Sequence, residues 1–187
     1  MALNKKKESQ AMRKVLFILS ELLDEDVDWL ANFGERVSYP EGAELIAFDS
    51  RVDSVYFVLD GSFSVLTGGG DLIVELGSGE IIGEMSLVDP ARTTAAVRAG
   101  AGAVALRLPN KLLREKLAAD APFAARFYRA LSVFMSDRIR HTTRRFGYGS
   151  AAPDPSKPQL EEINEELVDK LYLAGARFDR MLKRLAS

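Results

Sequence analysis

The most informative part of the sequence runs Leu76-Gly-Ser-Gly-Glu-Ile-Ile-Gly-Glu-Met-Ser-Leu-Val-Asp-Pro-Ala-Arg-Thr-Thr-Ala-Ala-Val-Arg98. It reads as a strand end, a glycine and an acid, one short helical turn, and a return to a strand after Arg92. Backbone N–H groups at the start of a helix have no acceptor within the helix, so they favour an anion. Gly83 would let a ligand approach the main chain closely, because glycine has no side chain. We therefore expect an anion-binding turn in this segment.

The polar side chains around this turn suit a ligand with both a phosphate and a sugar. Arg92 could pair with a phosphate through two hydrogen bonds, and Thr93 and Thr94 could donate hydroxyl hydrogen bonds. Glu84 cannot favour a phosphate by its charge, but it can accept a hydrogen bond from a sugar hydroxyl. Anion-binding amides, an acceptor and a cation this close in sequence indicate a phosphorylated ribose.

Short β-prone segments surround this site and are separated by turn-forming residues. Asp60-Gly61 and the triple glycine at 68–70 are hairpin signals between such segments. The clearest segments are residues 55–59, 62–66, 72–76 and 95–108. Many short antiparallel strands with glycine-rich turns predict a mostly β fold, an antiparallel jelly-roll barrel with flanking helices.

Helical periodicity lies on both sides of the strands. Apolar residues recur every three or four positions in residues 10–34 and 110–146, which predicts N-terminal helices and a long C-terminal helical region. Asp24 is expected to cap a second N-terminal helix that begins near Glu25. Four acidic residues are expected to form a solvated face there: Asp24, Glu25, Asp26 and Asp28.

Composition divides the chain into three parts. Residues 12–146 are expected to form one domain. Residues 147–158 contain two glycines and three prolines, which do not continue a helix, and are expected to be a linker. Residues 159–187 predict an amphipathic helix whose apolar positions resemble a coiled-coil seam. The seam, within residues 159–185, is expected to pack on its own barrel, in a homodimer or against a protein partner.

The overall composition excludes several classes of chemistry. The chain has 187 residues, a formal net charge of -2, no cysteine and one histidine, His141. Thiolate catalysis, disulfides and multi-histidine metal sites are therefore excluded. No nucleophile–base pair is evident, so we do not expect an enzyme. Neither a signal peptide nor a membrane span is evident in the sequence, which favours a cytoplasmic protein.

The segment that follows Leu76 resembles the phosphate-binding cassette of the cyclic-nucleotide-binding domain family, found in catabolite activator proteins, kinase regulatory subunits and gated channels. The family pattern is Gly-Glu-(Leu/Met)-(Ala/Ser)-Leu, a short loop, then Arg-(Ser/Thr/Ala)-Ala-x-Val. Gly83-Glu84-Met85-Ser86-Leu87 matches the first part fully. Tyr39–Gly42 and Val55–Gly61 resemble the early strands and glycine turn of the family, and the resemblance covers about residues 12–145.

The resemblance implies a role for each residue of the cassette. Glu84 would accept from the ribose 2′-hydroxyl, Arg92 would pair with the cyclic phosphate, and Thr93 would supply the small hydroxyl after the arginine. The long helix around residues 127–144 would cover the base and move when ligand enters. The ligand would be cAMP or cGMP, without a metal or other cofactor. The expected ligand-binding residues are Gly83, Glu84, Met85, Ser86, Arg92, Thr93 and Thr94.

The sequence departs from the family pattern at two places. Arg92 lies one residue early, so in an unbroken strand Thr93 takes the arginine's place and Arg92 points elsewhere. Alternatively, a bulge at Thr93-Thr94 returns Arg92 to the pocket. The second departure is the segment at 47–50, where the family usually has a glycine turn, and we interpret it as a changed loop.

Two functions remain open from the sequence. The first is a cyclic-nucleotide sensor that relays binding through its C-terminal helices to a partner. The second is a degenerate, nucleotide-independent scaffold or oligomerisation module. DNA contact is not expected, because residues 147–187 are too short for the usual winged helix-turn-helix. The basic cluster Arg138, Arg140, Arg144 and Arg145 is expected to be solvent-exposed.

Overall fold

The computed structural model describes residues 18–145 and 165–186, without the side chains of residues 137, 141–145 and 165–171. Two four-stranded antiparallel sheets form the body of the domain, in the strand orders β1-β8-β3-β6 and β2-β7-β4-β5. The strands are β1 Glu35–Ser38, β2 Glu44–Ile46, β3 Ser54–Asp60, β4 Ser62–Leu66, β5 Leu72–Gly77, β6 Ile81–Ile82, β7 Ala96–Ala99 and β8 Val104–Pro109. The prediction of a mostly β fold with flanking helices is confirmed.

Five helices within the described residues flank or interrupt the sheets: α1 Asp24–Phe33, α2 Met85–Val88, α3 Asn110–Ala119, α4 Ala121–Arg145 and α5 Glu165–Arg184. Residues 18–21, before α1, are also helical. Asp120 accepts a hydrogen bond from the Phe123 N–H at 2.9 Å and so caps the start of α4. The predicted linker at 147–158 lies outside the described residues.

Strand β3 divides the interior into two cores. Its side chains alternate between the two faces of the sheet, as the period of a strand requires. Val55, Phe57 and Leu59 pack into the core beneath the helices. Tyr56 and Val58 face the other way, into the core between the two sheets. Burial on both faces explains why this segment is almost continuously apolar.

The hairpin between β3 and β4 requires a glycine, as the sequence predicted. Gly61 has φ +67, and a Cβ there would lie 2.6 Å from the carbonyl carbon of Gly102. A side chain at this position would therefore collide with the neighbouring turn. Strand β4 then pairs with β5 on one side and β7 on the other.

The acidic residues of α1 form only part of the solvated face expected from the sequence. Asp26 is 3% exposed and pairs with Arg126 of α4. Asp24 and Asp28 accept hydrogen bonds from arginines of α5. The prediction was wrong for Asp26 and Asp28 because their cationic partners are distant in sequence, whereas Glu25 is exposed and the Asp24 side chain is 56% exposed.

Candidate functional site

The cassette begins at a glycine that no other residue can easily replace. Gly83 follows β6 and has φ +81, in the left-handed region that side chains disfavour. A Cβ at Gly83 would lie 2.7 Å from the carbonyl oxygen of Ser54 and 3.1 Å from Val52 Cγ1. The close approach of β3 therefore fixes the start of the cassette.

Helix α2 is held against α3 through Ser86. The Ser86 hydroxyl donates to the Gly83 carbonyl at 2.6 Å and accepts from Asn110 Nδ2 at 2.9 Å. Arg114 donates to the Ser86 carbonyl at 2.7 Å. Met85, the neighbouring residue, is 60% exposed. In this structure Ser86 therefore anchors the cassette, while Met85 lies at its surface.

Glu84 is the buried charged group of the cassette. It is 2% exposed, and its Oε1 lies 2.5 Å from Arg138 Nη1 of α4. Arg138 also donates to the Ile81 carbonyl at 3.3 Å and stacks on the Phe134 ring, 4.7 Å from its centroid. The long helix is thus joined to the cassette through one guanidinium.

Burial sets the protonation behaviour of Glu84. Loss of solvent raises the pKa of Glu84 above its ordinary value of 4.5, and the Arg138 charge acts in the opposite direction. Glu80 raises the pKa further, since it is a second buried carboxylate nearby. The Oε2 atom of Glu80 accepts a hydrogen bond from the Gly77 N–H at 2.8 Å. The net effect favours the neutral acid more than in water.

Arg138 was missed as a site residue by sequence reasoning. The expectation of a solvent-exposed basic cluster was wrong at this position, because the Arg138 side chain is 35% exposed and bound to Glu84. A signal was present, since Phe127, Leu131, Phe134 and Arg138 follow one another at spacings of four and three residues. An arginine that continues the apolar face of a helix faces the interior.

Arg92 lies on the surface, whereas Glu84 is buried. Its Nη1 donates to the Asp49 carbonyl at 2.5 Å and lies 3.5 Å from the Asp49 carboxylate. The Arg92 side chain is 63% exposed. In this structure Arg92 is therefore bound to the loop between β2 and β3.

Thr93 takes a structural position in the same loop. Its hydroxyl donates to the Ala47 carbonyl at 2.7 Å and accepts from the Ser50 N–H at 3.0 Å. Backbone hydrogen bonds from Thr93 to Ser50 and from Asp49 to Thr93 complete the contact. Thr94 is exposed. The changed loop at 47–50 is thus fastened to the segment that leaves the cassette.

A cavity adjoins the Gly83 turn through Val52. This cavity of about 310 Å³ lies beside β2 and β3 and includes Glu44, Arg51 and Asp53 in its wall. Val52 lines the same cavity and contacts the Gly83 turn. Neither Glu84 nor Arg138 is among the residues that line this cavity.

Two other features are absent from the residues that the structure describes. In residues 18–145 and 165–186, no three His, Cys, Asp or Glu side chains are grouped as metal ligands would be. No helix in those ranges combines the length and apolar character needed to cross a membrane.

Comparison with known proteins places this geometry in a family. Residues 36–120 match the family model of the cyclic nucleotide-binding domain. NTE family proteins of Mycobacterium tuberculosis and Mycobacterium bovis are 27% identical over 154 residues, covering 80% of this chain. The chain spans about a quarter, 26%, of the length of these curated relatives.

Solved structures share the fold. A cyclic nucleotide-binding domain from Methylobacillus flagellatus superimposes with a TM-score of 0.65 at 21% identity, covering 77% of this chain and 87% of that one. The catabolite activator protein of Thermus thermophilus gives 0.56 at 20% identity, covering 88% and 84%. The N-terminal domain of a Streptomyces coelicolor transcriptional regulator gives 0.53 at 25% identity, covering 70% and 91%. Residues 36–120, with their two sheets and cassette, therefore belong to the cyclic nucleotide-binding domain family.

Proposed function

We propose that this domain is a regulatory sensor for a cyclic nucleotide, cAMP or cGMP, and that Glu84 and Arg138 connect ligand binding to the long helix. The observation that carries the proposal is the buried Glu84 carboxylate, held at 2.5 Å by an arginine of α4. A buried charged pair is costly to maintain unless it is well hydrogen-bonded. The pair lies between the cassette and α4, the long helix that the family resemblance expects to move when ligand enters. This position suits a signalling role.

The ion pair leaves acceptor capacity for a ligand. A carboxylate has about four lone-pair sites, and Arg138 approaches Oε1. A ribose 2′-hydroxyl bound at the other oxygen would leave Arg138 in place. Arg138 then orients Glu84 for the sugar, and the sugar in turn fixes Arg138 and α4.

Phosphate binding requires Arg92 to change partners. Arg92 and Asp49 are 63% and 65% exposed, and an exposed pair of this kind contributes only about 0–1 kcal/mol. A phosphate over the cassette offers Arg92 a more strongly charged partner in a less hydrated place. The exchange is therefore energetically accessible, and we propose Arg92 as a ligand of the bound phosphate.

A second candidate function is a nucleotide-independent regulatory module. The Thr93 hydroxyl favours it, because its hydrogen bonds to Ala47 and Ser50 are made within the protein. The Thr93 hydroxyl both donates and accepts a hydrogen bond within the protein, so its hydrogen bonding is complete without a ligand. In that case the domain acts through its helices alone, as a scaffold.

Calorimetric titration of the full chain with cAMP and with cGMP separates the two functions. The sensor predicts saturable binding that Glu84→Gln weakens. Arg92→Ala should weaken binding by about 2–5 kcal/mol if Arg92 pairs with a desolvated phosphate. Arg98→Ala is the matched control, since Arg98 is also an exposed arginine in a surface pair, 3.8 Å from Glu44.

The outcomes discriminate clearly. The sensor function is supported if Arg92→Ala weakens cyclic-nucleotide binding and Arg98→Ala leaves it intact. No heat and no thermal shift at millimolar concentrations of either nucleotide would leave the scaffold as the function. Binding unaffected by Arg92→Ala would remove Arg92 from the site while keeping the sensor.

A further inference from the structure

The acidic residues of α1 face two different helices. Asp26 accepts two hydrogen bonds from Arg126 of α4, from Nε at 2.7 Å and from Nη2 at 2.8 Å. Asp24 and Asp28 are four residues apart, so they share another face of the helix. That face contacts α5. Helix α1 therefore connects the long helix to the terminal helix.

Arg177 is the central anchor of α5. It is 7% exposed, and its Nε donates to Asp24 Oδ1 at 3.0 Å. Its Nη1 donates to the carbonyl oxygens of Leu19 and Ser20 at 3.0 and 3.1 Å. The last carbonyls of a helix have no donor N–H within it, and Leu19 and Ser20 lie in the helical residues 18–21. Arg177 thus binds both N-terminal helical segments at once.

Two more arginines and an apolar seam complete the interface, and the seam consists of Ala174, Phe178, Met181, Leu182 and Leu185. Arg180 donates to both oxygens of Asp28 at 2.7 and 2.6 Å, and Arg184 donates to the same carboxylate at 3.2 and 3.0 Å. These arginines are 44% and 47% exposed, so their individual contributions are small. Ala174 and Met181 are buried, which shows that the terminal seam packs on its own chain.

The long helix links this interface to the cassette. Arg126 is bound to Asp26, and Arg138, bound to Glu84, follows twelve residues later on the same helix. At a rise of 1.5 Å per residue the two arginines are about 18 Å apart. A path of ion pairs and rigid helices therefore runs from Glu84 to Arg177.

We infer that α5 is a releasable strap and that the cassette controls its docking on α1 through this path. An intact Glu84–Arg138 pair fixes α4, and α4 positions α1 through Asp26. Loss of the pair frees α4 and loosens α5. The ligand step of this inference rests on the proposed function, but the link from Glu84 to α5 exists in the chain without ligand.

Local unfolding of α5 is the quantity to measure, because a single helix can open while the rest of the core stays folded. Hydrogen exchange of residues 172–184 in the full chain, without nucleotide, reports that opening. Arg177→Gln should accelerate exchange there by about tenfold or more, since it removes charge-assisted hydrogen bonds. Glu84→Gln should accelerate it by about threefold or more, although Glu84 does not contact α5. Arg98→Gln, the control on the barrel surface, should leave it unchanged.

Conservative variants keep the test valid if a glutamine variant does not fold. Arg177→Lys keeps the charge but cannot reach all three oxygens in the same geometry, so an intermediate acceleration is expected. Arg138→Lys serves in the same way at the cassette.

Unchanged exchange in Arg177→Gln would show that α5 is not held by this anchor. Unchanged exchange at 172–184 in both Glu84→Gln and Arg138→Lys, with faster exchange around residue 138, would show that the strap is not coupled to the cassette. Nucleotide titration of Arg177→Gln tests the ligand step, because release of α5 must weaken nucleotide binding if the cassette controls its docking. Affinity equal to that of the wild type would contradict that step and leave the sensor function standing. If the wild-type chain binds no nucleotide, the sensor function is overturned. Hydrogen exchange at residues 172–184 still decides whether Glu84 is coupled to α5.

Discussion

At the scale of single residues, Gly83 depends on both its backbone conformation and its surroundings. Gly83→Ala should lower the free energy of unfolding by about 2–4 kcal/mol, because the methyl group meets the Ser54 carbonyl at 2.7 Å in a left-handed conformation. Gly70→Ala is the control, since Gly70 has φ +92 but nothing within 4 Å of an added Cβ. Urea denaturation should show a smaller loss in Gly70→Ala, of about 1–2 kcal/mol. Equal losses would mean that the Gly83 turn relaxes away from β3.

Glu84 should make stability depend on pH in a predictable direction. Its pKa is raised in the folded state by burial, so unfolding releases protons between the ordinary value of 4.5 and the raised pKa. The contribution of Glu84 is therefore fully present below pH 4.5 and lost as pH rises through the folded pKa. The difference in unfolding free energy between wild type and Glu84→Gln should fall with rising pH. A difference that rises instead would show that Arg138 outweighs burial.

Sequence reasoning identified Gly83 and Glu84 because a short motif fixes their local geometry. It left the direction of Arg92 open, since one residue of register reverses the facing of a strand side chain. The observed loop contacts of Thr93 depend on the conformation of residues 47–50, which no local pattern specifies. Arg138 could have been found from its place on the apolar face of α4.

At the scale of elements, Arg126 joins α1 to α4. Arg126→Ala should destabilise the fold by about 3–5 kcal/mol, because it leaves the carboxylate of Asp26, 3% exposed, without its cation. Arg98→Ala should cost about 0–1 kcal/mol, as expected for an exposed pair. Denaturant titration measures both values. A loss below about 1 kcal/mol for Arg126→Ala would show that water or another group compensates Asp26.

The strands and helices were largely predictable because hydrophobic periodicity is local information. The contacts of α1 were not, because its acids meet cations that lie 100 and 153 residues away in sequence. A row of aspartates looks the same whether it faces water or arginines. Only the packing of three helices distinguishes the two cases.

At the scale of the whole molecule, the docking of α5 should respond to acid. The hydrogen bond from Arg180, together with Arg184, lowers the pKa of Asp28 well below its ordinary value of 3.8, despite an opposing effect of burial. Its stabilising contribution is present above pH 3.8 and lost as pH falls through the depressed pKa. Asp28→Asn should therefore lower the Tm at pH 7, and the deficit should shrink below pH 3.8. A deficit that grows with acid would contradict this role.

The packing of the terminal helix shows where sequence reasoning ended at this scale. The apolar seam was evident, but its spacing suits a homodimer, a partner and its own domain equally well. In this structure the arginines beside the seam pair with Asp24 and Asp28 of the same chain. Whether another protein binds α5 stays a prediction.

A crystal structure of the full chain grown with saturating cAMP or cGMP tests the central claim most directly. We expect the nucleotide above Gly83–Ser86, with its ribose 2′-hydroxyl at a hydrogen-bonding distance of about 2.7 Å from the Glu84 carboxylate and Arg138 still bound to Glu84. Crystals grown at millimolar nucleotide that show Glu84 bound to Arg138 alone, with Arg92 still on Asp49, would contradict the sensor function.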